Sequence, residues 1–198
     1  IMRSTVLLFL LTLFVWTTAN AQEFNNKTKE YVLVSQTEAK TETVRTHRRV
    51  LCDYQPSGLW GRRGERITVK VTELDPEYKL STMIGFKPMW DKRNGTQENE
   101  LKEGPNTVTA GNDGILSFIF VKRTGFDTDP STVDVKVTGG KAIPLYVVGE
   151  TEDKDWENDI RNMADTYVQL VSDKALVTLP SRDYVKHPIA DVEAMFDT

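Results

Sequence analysis

Ile67, Val69 and Val71 alternate with Thr68, Lys70 and Thr72. A period of two puts every apolar side chain on one face of an extended segment, so that face has to be buried. Leu80 to Phe86, Thr107 to Ala110, Ile115 to Val121, Val133 to Val137 and Ile143 to Val148 read as further short strands. Between them stand Arg63-Gly64-Glu65, Asp75-Pro76, Asn94-Gly95, Gly104-Pro105-Asn106, Gly111-Asn112-Asp113-Gly114 and Asp129-Pro130. Such residues supply the positive φ or fixed φ that tight turns need. Short strands at regular spacing, broken by turns, predict a mainly β fold, an antiparallel β-sandwich of jelly-roll type. Ile67, Val69, Val135 and Val137 are then expected between the two sheets.

The pattern changes near the C-terminus. From Asp155 the apolar residues Trp156, Ile160, Met163, Tyr167, Leu170 and Val171 recur at three- and four-residue steps, which predicts a helix over 155–171. Asp153 and Asp155 stand where a helix N-terminus favours a cap and negative charge. Ala175 to Leu179 reads as a strand stopped by Pro180, and Ile189 to Phe196 as a second helix. This tail is expected to be too small for a core of its own, so its apolar stripe either folds back on the sandwich or stays bare. A chain shortened to Gly149 is expected to be the more soluble one.

The N-terminus carries a secretory signal. Arg3 supplies positive charge, Val6 to Val15 is apolar, and Ala19-Asn20-Ala21 is a small-residue cleavage site before Gln22. The apolar run falls short of the roughly 20 residues that span a bilayer. Residues 1–21 are thus read as a signal peptide, 22–43 as a polar leader with weak order, and 44–149 as the β-sandwich. Secretion makes Asn26-Lys27-Thr28 and Asn94-Gly95-Thr96 candidate glycan acceptors at Asn26 and Asn94. The single cysteine, Cys52, reads as a buried apolar filler or as half of a pair whose partner lies in missing sequence. Net charge is -4, which argues against nucleic-acid binding, because phosphate contacts need a basic surface. The basic clusters His47-Arg48-Arg49 and Arg62-Arg63 with Arg66 read as solvated surface.

No catalytic or metal-ligating residue is assigned. The two histidines, His47 and His187, lack the H-E-x-x-H spacing that places two ligands on one helix face. The run Asp153-Lys154-Asp155-Trp156-Glu157-Asn158-Asp159 lacks the glycine of a calcium loop at its sixth position, and Ala164 stands where the bidentate glutamate belongs. There is no G-x-S-x-G elbow. Trp156 lies on the apolar stripe and is expected in a core. Trp60 and Trp90, in segments read as loops, are the candidates for stacking on a sugar ring.

Four stretches fall into one order: CDYQPSGLWGRRGERITVKV (52–71), LKEGPNTVTAGNDGILSFIF (101–120), VDVKVTGGKAIPLYVVGETEDKDW (133–156) and ALVTLPSRDYV (175–185). Together they resemble the N-terminal region of the M60-like, or enhancin-like, secreted metallopeptidases. The resemblance implies a β-sandwich accessory domain leading into a zincin-type catalytic domain, whose opening α/β elements would be residues 150–198. It implies action on mucin-like glycoproteins as substrate partners, with zinc held by the histidines of H-E-x-x-H and a further glutamate, and the motif's glutamate as general base. The motif is absent here, so the zinc cofactor is expected only in a longer parent protein, of which this would be an incomplete chain. The family also includes animal channel-associated factors, so kinship alone does not entail proteolysis. In this reading Gly139-Gly140 turns into the last sandwich strand, Ile143 to Val148 completes the sheet, and the following acids start the first helix of the next domain. The alternative is a secreted, non-catalytic β-sandwich module that binds glycan or glycoprotein.

Overall fold

The computed structural model describes residues 28–47, 53–85, 96–162, 167–172, 175–186 and 191–196. In chain order the elements begin β1 (Thr28–Val34), α1 (Ala39–Thr46), β2 (Tyr54–Gly61), β3 (Arg66–Thr72), β4 (Tyr78–Ile84) and β5 (Gln97–Glu100). They continue with β6 (Gly104–Thr109), β7 (Gly114–Lys122), β8 (Thr132–Thr138), β9 (Lys141–Ala142) and β10 (Leu145–Val147). The C-terminal elements are α2 (Asp153–Asn162), β11 (Tyr167–Val171), β12 (Leu176–Pro180), α3 (Ser181–Lys186) and α4 (Val192–Phe196).

One sheet has the order β1-β8-β3-β6 and the second β5-β4-β7-β2-β9, every pair antiparallel. Strands one to eight thus follow jelly-roll order. The expected burial holds: Ile67, Val69, Val71, Val135 and Val137 lie between the sheets with Leu116, Phe118 and Phe120 of β7. Each such side chain contributes on the order of 1.5–3 kcal/mol when removed from water.

Three expectations fail, each for a physical reason. The leader expected over 22–43 fails from Thr28 on, since Thr28–Val34 pairs with β8 over its whole length and is the first strand of the jelly roll. Its inward side chains are Lys29, Tyr31 and Leu33, while Val32 and Val34 face solvent, so polarity along the strand misreports its two faces. The helix expected over 155–171 is α2 alone; Tyr167, Leu170 and Val171 belong to β11. β11 is buried on both faces at its centre, so its apolar residues flank Gln169 in pairs without alternating, and that spacing cannot be told from a helix stripe. The tail also has a core of its own: Tyr146, Trp156, Val168, Leu170, Tyr184 and Val192 form a second buried cluster.

The third sheet, β10-β11-β12, joins a parallel pair to an antiparallel one. It lies over the outer face of the second jelly-roll sheet, where Tyr54, Met83, Ile115 and Ser117 meet Gln169 and Thr178 around a void of about 10 Å³. This cover explains why β7 is buried along both of its faces.

Candidate functional site

The chain passes from jelly roll to third sheet at a single crossing. Gly139 and Gly140, with φ of 110° and 79°, turn β8 into β9, and the Gly140 N–H donates to Glu65 Oε1 at 2.7 Å. The sequence predicts that Ile143 to Val148 completes the sandwich, but the pairing with β2 is made by Lys141 and Ala142 and ends with the Ile143 N–H on Gly58 O. Pro144 ends the ladder, because it has no N–H to give. Its carbonyl accepts the Gln169 N–H at 3.0 Å, and Leu145–Val147 pairs in parallel with β11 instead.

Beyond the crossing the backbone N–H of Val147 donates to Thr151 Oγ1 at 2.9 Å, closing a turn that delivers the chain to α2. Asp153 and Asp155 occupy the first turn of that helix, as charge at an N-terminus predicts. Trp156 sits in the second core, edge-on to both Tyr146 and Tyr184 with ring centroids 5.4 Å apart in each case. Its indole donates to the Tyr184 hydroxyl at 2.9 Å.

Tyr146 donates its hydroxyl to Asp153 Oδ1 at 3.2 Å. Burial first, and the Asp153 carboxylate second, push its pKa up to about 12. The residues Tyr146, Thr151, Glu152, Asp153, Asp191 and Glu193 line an open cleft of about 440 Å³. Its negative charge would draw cations. Two of its acids are nonetheless engaged by backbone: Asp191 Oδ1 accepts the Ala194 N–H at 2.9 Å, and Glu193 Oε1 the Gly149 N–H at 3.4 Å. Among the described residues no three His, Cys, Asp or Glu side chains are placed to hold a metal ion, so the residues present do not fit a zinc site.

Trp60 lies in β2 and not in a loop. Its ring stacks on Tyr167 of β11, centroids 5.7 Å apart and planes 12° from parallel. One face of the candidate sugar platform is therefore taken up by the third sheet. Trp90, Asn26, Asn94, Cys52 and His187 lie outside the described residues. His47 is exposed and ends α1 in the left-handed conformation. Sequence reasoning missed Tyr167, which it placed on a helix, and Lys29, whose side chain reaches from β1 to β2. Among the described residues no helix is long and apolar enough to cross a membrane.

Comparisons with known proteins bear on both the jelly roll and the second core. Residues 139–198 match the sequence family described as Peptidase M60, enhancin and enhancin-like. The match begins at the glycine turn where the jelly roll ends. A search of curated proteins gave no match. A solved structure of a functionally unknown conserved protein from Bacillus anthracis is 22% identical with a TM-score of 0.72, over 86% of this chain and 34% of that one. The M60 catalytic domain of Clostridium perfringens ZmpC, solved with the sialyl T antigen, is 16% identical with a TM-score of 0.65, over 80% of this chain and 35% of that one. IMPa from Pseudomonas aeruginosa, solved with an O-glycopeptide, is 14% identical with a TM-score of 0.59, over 87% of this chain and 20% of that one. This chain thus spans about a third or less of the solved structures it resembles. The family match and the shared fold bear out the M60-like resemblance read from the sequence.

Proposed function

We propose that this chain is the N-terminal portion of a secreted M60-like zinc metallopeptidase acting on mucin-like glycoproteins, with the catalytic motif in sequence beyond it. The observation that carries the reading is the start of the family match at Gly139, where the jelly roll gives way to the second core. The glycan and glycopeptide bound to ZmpC and IMPa support the substrate class. Zinc, when bound in such a protein, polarises a water for peptide hydrolysis. Its ligands are assigned to the longer protein, and no step through it is assigned to the residues described here. What this chain contributes is the base on which the catalytic elements are built, residues 44–149 with β1 as sandwich and 150–198 as the opening of the peptidase domain.

The test is to extend the reading frame and express the longer protein. An H-E-x-x-H segment, with cleavage of an O-glycosylated mucin-type peptide that chelation and a Glu→Gln change in the motif both abolish, is the expected result. A stop codon directly after Thr198, or an extended protein that binds such a peptide without cutting it, would favour the non-catalytic module. Secretion is checked on the same material: the mature chain should begin at Gln22, and enzymatic deglycosylation should lower its mass, with one step lost in Asn26→Gln and one in Asn94→Gln.

A further inference from the structure

The ladder between β2 and β7 slips between Pro56 and Leu59, which face the consecutive residues Ser117 and Leu116. Ser57 and Gly58 therefore stand in a bulge, and a bulge frees backbone groups that the ladder would have paired. Side chains from β1 take up those carbonyls. The Tyr31 hydroxyl donates to Ser57 O at 2.8 Å and the Lys29 ammonium to Gly58 O at 3.3 Å. Gly58 O also accepts the Ile143 N–H at 3.0 Å, the last backbone tie before the chain crosses. Ser57 closes the bulge from within, its Oγ accepting the Leu59 N–H at 3.1 Å and donating to Leu116 O.

The same bulge touches the third sheet. Gly58 has φ of 63°, and a Cβ there would lie 3.1 Å from Leu145 Cβ and Cδ2 and 3.3 Å from Lys29 Nζ. Leu145 is the first residue of β10, so a side chain at position 58 is strained by the positive φ and requires Leu145 or Lys29 to give by a few tenths of an ångström. Two residues on, Trp60 stacks on Tyr167 of β11. Lys29 is itself largely withdrawn from water, which lowers its pKa, while Asp159 of α2 acts in the opposite direction. An inward lysine on an edge strand also guards that edge against pairing with another chain.

We propose that the Ser57–Gly58 bulge is the docking point that fixes the C-terminal unit on the jelly roll, with Lys29 and Tyr31 of β1 as the positioning residues that hold it in shape. The inference goes beyond the peptidase reading and stands whether or not the longer protein cuts a substrate. It assigns β1 a task that its place in the jelly roll alone does not require.

Hydrogen exchange of the full chain tests it, with amides of β3 and β6 as the internal reference for the jelly roll. Gly58→Ala should speed exchange at the β10–β11 amides by at least about tenfold relative to β3–β6, since local opening is separable from global unfolding. Lys29→Met and Tyr31→Phe, which keep side-chain bulk and leave Gly58 untouched, should do the same to a smaller extent. Each variant should also weaken the near-ultraviolet signal of the Trp60–Tyr167 stack. Should Gly58→Ala fail to fold, the Lys29 and Tyr31 variants decide alone. Exchange unchanged at β10–β11 in both, or raised equally in β3–β6, overturns the proposal.

Discussion

Two aromatic side chains of the second core, Trp156 and Tyr146, can be separated by chemistry. Trp156 contributes ring contacts to Tyr146 and Tyr184 and one hydrogen bond to the Tyr184 hydroxyl. Trp156→Ala should cost about 3–5 kcal/mol, the range for emptying an aromatic site in a core. Trp156→Phe, which keeps a ring and loses the N–H, should cost clearly less, nearer the 1 kcal/mol of a single hydrogen bond plus the lost area. Urea unfolding followed by circular dichroism reads both, and equal losses would mean that the hydrogen bond dominates. Tyr146 makes the same core sensitive to alkali. Its folded pKa of about 12 stands above the ordinary value of 10.0, so the folded state holds this proton more tightly than the unfolded chain does. The stabilisation is complete below pH 10 and is lost as pH rises through about 12. Tyr31, also raised by burial, adds a change of the same sign. Tyr146→Phe should therefore flatten, without abolishing, the fall in stability above pH 10. A slope identical to the wild type would show that Tyr146 ionises freely in the folded chain.

Among the elements, β1 gives the sharpest contrast between neighbouring residues. Leu33 is 4% exposed and Val32 68%, although both are aliphatic residues in one apolar run. Leu33→Ala should cost about 2–5 kcal/mol by leaving a cavity in the jelly-roll core, whereas Val32→Ala should fall within about 0.5 kcal/mol, the usual range for a surface change. Comparable losses at both positions would mean that β1 is paired in the other register. This strand also shows where sequence pattern fails. Ile67 to Val71 and Val133 to Val137 were legible because every apolar residue there faces inward. In β1 a lysine faces in and two valines face out, so the pattern inverts and the segment reads as polar leader. β2 was illegible for another reason. Its bulge at Ser57–Gly58 shifts the alternation partway along the strand, and Pro56 and Gly58 look like loop residues, so the pattern puts Trp60 in a loop. Trp156 lies in a core, as its place on the apolar stripe predicts. Tyr167, expected on the same helix, belongs to β11, because a doubly covered strand and a helix stripe leave the same apolar spacing.

At the scale of the molecule the third sheet packs on the jelly roll, and these contacts argue for the opposite of the solubility expected from the sequence. The unpartnered helix stripe anticipated there does not exist, since Trp156 and Ile160 pack with Tyr146, Val168, Leu170 and Tyr184 in the second core. The third sheet in turn covers Ile115 and Ser117 on the outer face of the jelly roll and takes one face of Trp60. A chain cut at Gly149 keeps β10 but removes β11, its hydrogen-bonding neighbour. It leaves Leu145–Val147 as an open edge beside a newly bared apolar surface, a combination that drives association. The full chain should therefore elute as the better-behaved species in size-exclusion chromatography and resist limited proteolysis between Gly149 and Asp153, whereas the chain ending at Gly149 should aggregate or bind a hydrophobic dye strongly. A shorter chain that stays monomeric, dye-free and as resistant to urea as the longer one would mean that the jelly roll is self-sufficient, and that the contacts at Gly58 and Trp60 join two independent units.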